Sequence, residues 1–230
     1  YTYMRIVFNH KFGQQELNDI QHHTVEALDV NINEYDNMLA NGWLQHIIDE
    51  KPKWYQSRSV RCDLANISYS EYDADRYAIM HPKLAEIEHI YTSYCFHKGF
   101  EDLYQREVVN WLCDDICIEY YNPKNEFVAW SKLRPYTNQS LETVIFAWDY
   151  RDPKLKIGYN SLKHELAWAK KQGYDYVYLG PGYEEGCVYK SEMHGFEWWT
   201  GSVWSEDKNE YGRLCKRDSA ITTIAELSRV

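Results

Sequence analysis

The sequence predicts a mixed α/β fold: a mostly antiparallel sheet flanked by helices, with a smaller N-terminal subdomain attached. Three observations point there. The second half alternates strand-type and helical patterns, with strands at residues 127–133 and 141–148, a helix at 161–172 and a further strand at 174–180. Each stretch is closed by a breaker (Pro135, Asp149, Gly173 and Pro181 in turn). The chain has 230 residues, 44% apolar and 26% charged, enough for one compact domain or two small ones sharing a face, and too apolar for disorder.

Residues 3–8 alternate or run apolar and read as a first strand. Residues 14–28 are polar, with Leu17, Ile20, Val25 and Leu28 at helical spacing, and predict a helix. Residues 33–42 form a short helix in which Asn33 caps the start and Gly42 follows the last turn. Val60, Cys62 and Leu64 alternate within a strand at 58–64. Pro82 suits the first position of a helix running to about Phe96 and stopped by Gly99. Another helix is expected at 103–113, with Val108, Val109 and Leu112 on one side. In the second half Leu162, Leu166 and Ala169 mark the buried side of the 161–172 helix. Residues 196–204 read as a final strand, aromatic on both faces. There is no repeat and no low-complexity linker, so a soft division near 76–83 separates an N-terminal subdomain (1–80) from the core domain (81–230).

Composition excludes some functions. The net charge is −10, from 35 acids against 25 bases, which rules out a polyanion-coating nucleic-acid binder but leaves room for a local basic patch. Residues 12–50 contain no Lys or Arg and eight acids, whereas residues 151–173 carry +4. No apolar run approaches the ~18 residues of a membrane-spanning helix. The start, Tyr1-Thr-Tyr-Met-Arg, shows no signal-peptide pattern, so a cytoplasmic protein without a membrane partner is expected. Six cysteines are scattered, with no C-x-x-C; the one close pair, Cys113 and Cys117, has helical i,i+4 spacing. These read as reduced thiols, and no metal site is expected.

The strand, the turn Arg151-Asp-Pro-Lys-Leu-Lys-Ile-Gly, the helix and the strand ending Leu179-Gly-Pro-Gly form the plan of an N-acetyltransferase-like (GNAT) core. There, backbone N–H groups at the helix start face a ligand's anionic or carbonyl oxygens, and the next strand end makes a slot for the acyl donor. The usual R/Q-x-x-G-x-G/A pyrophosphate loop is absent, since Gly158 stands alone. That counts against coenzyme A.

Several segments resemble one family in order: Asn33-Glu-Tyr-Asp-Asn-Met-Leu-Ala-Asn-Gly-Trp, Ser59-Val-Arg-Cys-Asp-Leu-Ala, Lys98 to Asp115, Phe146-Ala-Trp-Asp-Tyr-Arg-Asp-Pro, Ile157-Gly-Tyr-Asn-Ser-Leu, Tyr176-Val-Tyr-Leu-Gly and the pair Tyr189-Lys190. They are similar to the arginyl/leucyl-tRNA–protein transferases of the N-end rule pathway, over residues 33–200. The resemblance implies a GNAT-like fold and transfer of an aminoacyl group from tRNA to the amine of a protein, peptide or small molecule. Aminoacyl-tRNA would be the co-substrate, with no other cofactor. Two departures stand out: residues 53–59 lack the family's cysteine cluster, and residues 180–189 differ in the segment tied to acceptor choice.

Transfer from an activated ester needs no covalent nucleophile; it needs orientation, oxyanion stabilisation and removal of an amine proton. Asp149 either positions or deprotonates the amine, or only starts a turn. Lys154 and Lys156 contact tRNA phosphates or lie on a solvated face. Gly158, Tyr159 and Asn160 offer donors at the helix start or merely cap it. Tyr178 and Tyr183 lie along or past the strand where the aminoacyl group would sit, or pack in the core. Glu184 and Glu185 would hold a basic donor side chain, or are loop charges. The family's Tyr-Lys pair falls on Tyr189 and Lys190, the lysine contacting the terminal adenosine phosphate or an acidic acceptor. Cys187 reads as an inert thiol. Two alternatives stay open: an acyl-CoA-dependent N-acetyltransferase, and a non-catalytic peptide-binding protein on the same fold.

Overall fold

The computed structural model describes residues 4–8, 25–48, 51–70, 77–79, 84–99, 116–149, 157–221 and 226. It has the expected class, mixed α/β with a mostly antiparallel sheet flanked by helices. The chain forms two compact units: Tyr1–Asp63 with Tyr178–Val230, and Leu64–Val177.

The first unit opens with a four-stranded sheet in the order β1-β2-β4-β3, from β1 (Arg5–Phe8), β2 (Val25–Leu28), β3 (Trp43–Ile48) and β4 (Lys51–Gln56). Val25 and Leu28 therefore lie in a strand, not the expected helix, because β1 and β4 offer that segment backbone partners on both sides; residues 14–24 lie outside the described residues. The short helix is present as α1 (Tyr35–Ala40), preceded by a 3-10 turn at Ile32–Glu34. Asn33 does not cap it: Asn31 caps the 3-10 turn, its side chain accepting from the Asn33 N–H at 3.0 Å with Glu34 closing a capping box, and Glu34 occupies the N-cap position of α1 without a side-chain cap bond. Gly42 ends the helix at φ +76°, and its missing Cβ leaves room for the Trp199 ring that lies against it. The strand expected at 58–64 is β5 (Ser59–Asp63).

The same unit contains β10 (Tyr176–Pro181) from Tyr178 onward, a 3-10 segment at Glu185–Glu192, β11 (Phe196–Trp199), β12 (Trp204–Ser205) and α4 (Lys208–Ser219). The expected single strand at 196–204 is thus a hairpin, turning through Gly201 at φ +102° and pairing Trp199 with Trp204. Strand order here is β12-β11-β5-β10. β5 and β11 are antiparallel, with Phe196 opposite Cys62. The Trp204 indole N–H donates to Ala40 C=O at 2.8 Å and the Ser59 hydroxyl to Gly42 C=O at 2.5 Å, tying the end of α1 to this sheet.

In the second unit the order runs β6-β7-β8-β9-β10, from β6 (Tyr77–Ile79), β7 (Ile116–Tyr121), β8 (Phe127–Pro135), β9 (Ser140–Trp148) and the start of β10. β6 to β9 are antiparallel throughout. Cys117 lies in the strand β7; Cys113 and the helix expected at 103–113 fall outside the described residues. Helix α2 (Leu84–Lys98) covers one face of this sheet, Ile87 and Ile90 packing on Cys117, Trp130 and Ala147. Helix α3 (Ile157–Gln172) covers the other, burying Leu162, Leu166 and Ala169 as the spacing requires, and begins four residues before the sequence pattern does. The Gln139 C=O accepts from Asp175 and Tyr176 N–H at 2.9 and 3.2 Å, so β9 and β10 start side by side and run parallel, with α3 as the crossover. Among the described residues no helix is long and apolar enough to cross a membrane.

Candidate active site

The second unit supplies the strand–helix–strand element. Asp149 follows β9, is 5% exposed, and its N–H donates to Val128 C=O at 2.8 Å, extending the ladder by one residue. Gly158, Tyr159 and Asn160 lie inside the first turn of α3 rather than before it. That turn holds no acid and the last turn holds Lys170 and Lys171, so among the described residues side chains complement the helix dipole at its C-terminal end and none of the first turn does at its N-terminal end. Lys163 sets its ammonium 4.2 Å over the Tyr159 ring and 5.6 Å from that of Tyr69. Lys154 and Lys156 lie outside the described residues.

Two turns further along α3 is a group the sequence reading missed. Glu165 is buried on the sheet side of α3, where the Ser131 hydroxyl donates to it at 2.5 Å and the Tyr120 hydroxyl at 3.4 Å. Burial pushes its carboxyl up to about 7, against the pull of those two hydroxyls. The Tyr120 ring meets Phe146 and His164 edge-on, each at 6.0 Å, and Phe146 runs under Gly158. A signal was present: Leu162, Glu165, Leu166 and Ala169 follow i, i+3, i+4, i+7, which puts the acid on the apolar stripe.

The other candidates belong to the first unit. Tyr178 is 1% exposed and its hydroxyl accepts from Arg61 Nη1 at 3.4 Å. Arg61 also bonds Glu197 at 2.7 Å and stacks 4.0 Å over the Trp204 ring. Lys190 is 8% exposed; its ammonium donates to Leu179 C=O at 2.7 Å and Pro181 C=O at 2.8 Å, clamping the end of β10. Its neighbour Tyr189 is 43% exposed. The Tyr183 hydroxyl shares a hydrogen bond with the Ser57 hydroxyl, and burial pushes it up to about 12. Arg58 links this corner to α4 by donating to Gly182 C=O at 3.1 Å and pairing with Asp218 at 2.7 Å. Gly182 is needed where it stands, because a side chain there would collide with the Tyr211 hydroxyl. Glu184 and Glu185 are exposed, and the Glu185 N–H donates to the Ser219 hydroxyl at 2.5 Å.

The sequence-derived residues thus fall into two sets, Asp149 with Gly158, Tyr159 and Asn160 in the second unit, and Tyr178, Tyr183, Glu184, Glu185, Tyr189 and Lys190 in the first. Around β10 the first set of contacts joins Lys190 to the strand carrying Tyr178, while Tyr183 is joined to Ser57 and Arg58. Among the described residues no three His, Cys, Asp or Glu side chains are placed to share a metal ion. Cys62, Cys95, Cys117 and Cys215 are buried and Cys187 partly so, all as free thiols; burial pushes Cys117 up to about 12 and Cys62 further.

No family model and no curated protein matches the chain. Among solved structures it is similar to L-PGS from Bacillus licheniformis, at 12% identity and a TM-score of 0.41 over 65% of this chain and 52% of that one. It is also similar to a GCN5-related glucosamine N-acetyltransferase region in a fungal multi-domain beta-N-acetylglucosaminidase, at 14% identity and a TM-score of 0.43 over 74% of this chain and 22% of that one. The chain therefore spans about half the length of the first and less of the second.

Proposed function

We propose that the protein is an N-acyltransferase that takes an activated aminoacyl group from tRNA and places it on an amine. The observation carrying this reading is the β9–α3–β10 unit, in which Asp149 closes the first strand and α3 opens with an acid-free turn containing Gly158. The ordered segments from Asn33 to Lys190 that resemble aminoacyl-tRNA–protein transferases support the donor, and the isolated Gly158 argues against a coenzyme A pyrophosphate cradle.

In this reaction the amine nitrogen attacks the ester carbonyl, a C–N bond forms, and the C–O bond to the tRNA ribose breaks. The amine loses one proton and the departing ribose hydroxyl gains one. Asp149 orients the amine and accepts its proton. The N–H groups of the first turn of α3 face the donor's negative oxygens. Lys154 and Lys156 meet tRNA phosphates. Lys190 acts as a positioning residue by holding the end of β10, and Tyr178 is a core support.

The test is transfer of label from charged tRNAs and, separately, from acetyl-CoA to a panel of amines and peptide N-termini. Label moving from tRNA supports the reading. Label moving from acetyl-CoA alone assigns the acyl-CoA reaction instead, and no transfer from either favours a peptide-binding protein.

A further inference from the structure

The first unit holds a cavity of about 340 Å³ between the end of α1, the start of β3, the end of β4 and the β11–β12 hairpin. This volume falls in the range of small-molecule sites. Met38, Trp43 and Trp199 are the buried apolar residues that line it, and Asn37, Asn41 and Gln56 supply its polar groups. No described residue lining it carries a charge. Its walls are held from behind. Trp43 and Gln56 stand opposite each other in the β3–β4 register, so both face the same side of that sheet. The Trp199 ring lies on Gly42, and the Trp204 indole N–H fixes the end of α1 by donating to Ala40 C=O at 2.8 Å.

The three carboxamides have defined directions. Asn41 Nδ2 donates to Asn37 C=O at 2.8 Å and to Asn37 Oδ1 at 3.2 Å, and Gln56 Nε2 donates to Asn41 C=O at 2.9 Å. Each bond uses one end of a side-chain amide and leaves the other end open. Among the described residues, the groups left without a hydrogen bond are the Asn37 side-chain NH₂ as donor, and Asn41 Oδ1 and Gln56 Oε1 as acceptors. A charged ligand gains no ion pair from this lining. A sugar hydroxyl both donates and accepts, so it reads no such pattern. An adenine ring does read it: its amino group donates, a neighbouring ring nitrogen accepts, and carboxamides pair with that edge. Indole and thioether side chains suit its planar, polarisable body.

We propose that this cavity binds an adenine base, with its 6-amino group donating to Gln56 and Asn41, a ring nitrogen accepting from Asn37, and the ring against Met38, Trp43 and Trp199. The proposal stands apart from the transfer reaction and is tested without it. The folded protein is titrated with adenosine, with purine riboside, which lacks the 6-amino group, and with N-acetylglucosamine, following the indole N–H NMR signals of Trp43 and Trp199. Adenosine is expected to shift both signals and to bind at least about fivefold more tightly than either of the others. Gln56→Met, which keeps the length of the side chain, is expected to weaken adenosine by about fivefold and leave purine riboside unchanged. Ser202→Trp, at an exposed position of the hairpin on the cavity rim, is expected to block binding with the urea midpoint of unfolding unchanged. Equal binding of adenosine and purine riboside, equal binding of N-acetylglucosamine, or an unchanged adenosine affinity in Ser202→Trp overturns the proposal. A trinucleotide ending in adenosine separates the two sources of the base. Tighter binding than adenosine assigns the end of a nucleic acid, equal or weaker binding a free nucleoside, and either result supports the adenine site.

Discussion

Glu165→Gln isolates the energetics of the acid buried under the third turn of α3. Folded, Glu165 holds its proton up to about 7; the ordinary value is 4.5. Between those limits the folded chain binds one proton more at this site than the unfolded chain does. Stability therefore falls as pH rises through this window and is flat on either side of it. The gap corresponds to about 3 kcal/mol, fully present as stability below pH 4.5 and lost above pH 7. Gln keeps the size and the acceptor oxygen for Ser131 and Tyr120 but has no proton to lose. Its NH₂ group brings a donor that costs about 1 kcal/mol if it finds no partner. Urea unfolding of both proteins from pH 4.5 to 8, taken as a difference, cancels the other titrating groups. The difference curve should move in favour of Glu165→Gln by up to about 3 kcal/mol as pH rises. Parallel curves for the two proteins would refute the reasoning and mean that Glu165 ionises in the folded state at its ordinary value.

Three further outcomes are expected. Lys190→Ala strips two strand-end carbonyls of their donor and should lower transfer by about tenfold or more, with Cys187→Ala close to wild type; equal losses, read from kcat/KM, would contradict the role given to Lys190. Gly42→Ala meets both a left-handed backbone and the Trp199 ring, and should cost about 2–4 kcal/mol in denaturant unfolding; a change below 1 kcal/mol would mean the ring moves freely aside. Arg58→Ala leaves Asp218 buried with only Arg217 at 2.7 Å and should cost about 3 kcal/mol; Arg58→Met, which retains the packing of the stem, separates lost charge from lost contact.

The elements readable from sequence were those whose ends are marked chemically. β8 stops at a proline, β9 at an aspartate and α3 at Gly173, whose φ of +91° only glycine adopts readily. β3 and β4 were not readable, since Gln45 and His46 break both the apolar run and the alternation of Trp43–Ile48, and Lys51–Gln56 carries a proline; their pairing decides them. α4 is so polar that its buried side rests on Tyr211, Cys215 and Asp218, although Asp207 capping the Glu210 N–H at 2.9 Å leaves a trace in the sequence. At the site, residues named by position along β9, α3 and β10 could be found. The partners that define them could not: the pairing of Arg58 with Asp218 and the contact of Ser131 with Glu165 join residues far apart in the chain, and the clamp of Lys190 on β10, though local in sequence, depends on how the 3-10 segment folds back on the strand end.

The first unit is interrupted in sequence, and this bears on its birth at the ribosome. β5 is synthesised early, yet its partner β11 lies 134 residues further on, with Cys62 waiting for Phe196. The second unit emerges whole inside that interval and can fold while β5 still presents a bare edge. Synthesis that stalls after Val177 has emerged and before Phe196 has yields a nascent chain with one folded body and one sticky ribbon, the form most prone to capture by chaperones or by a second unfinished copy.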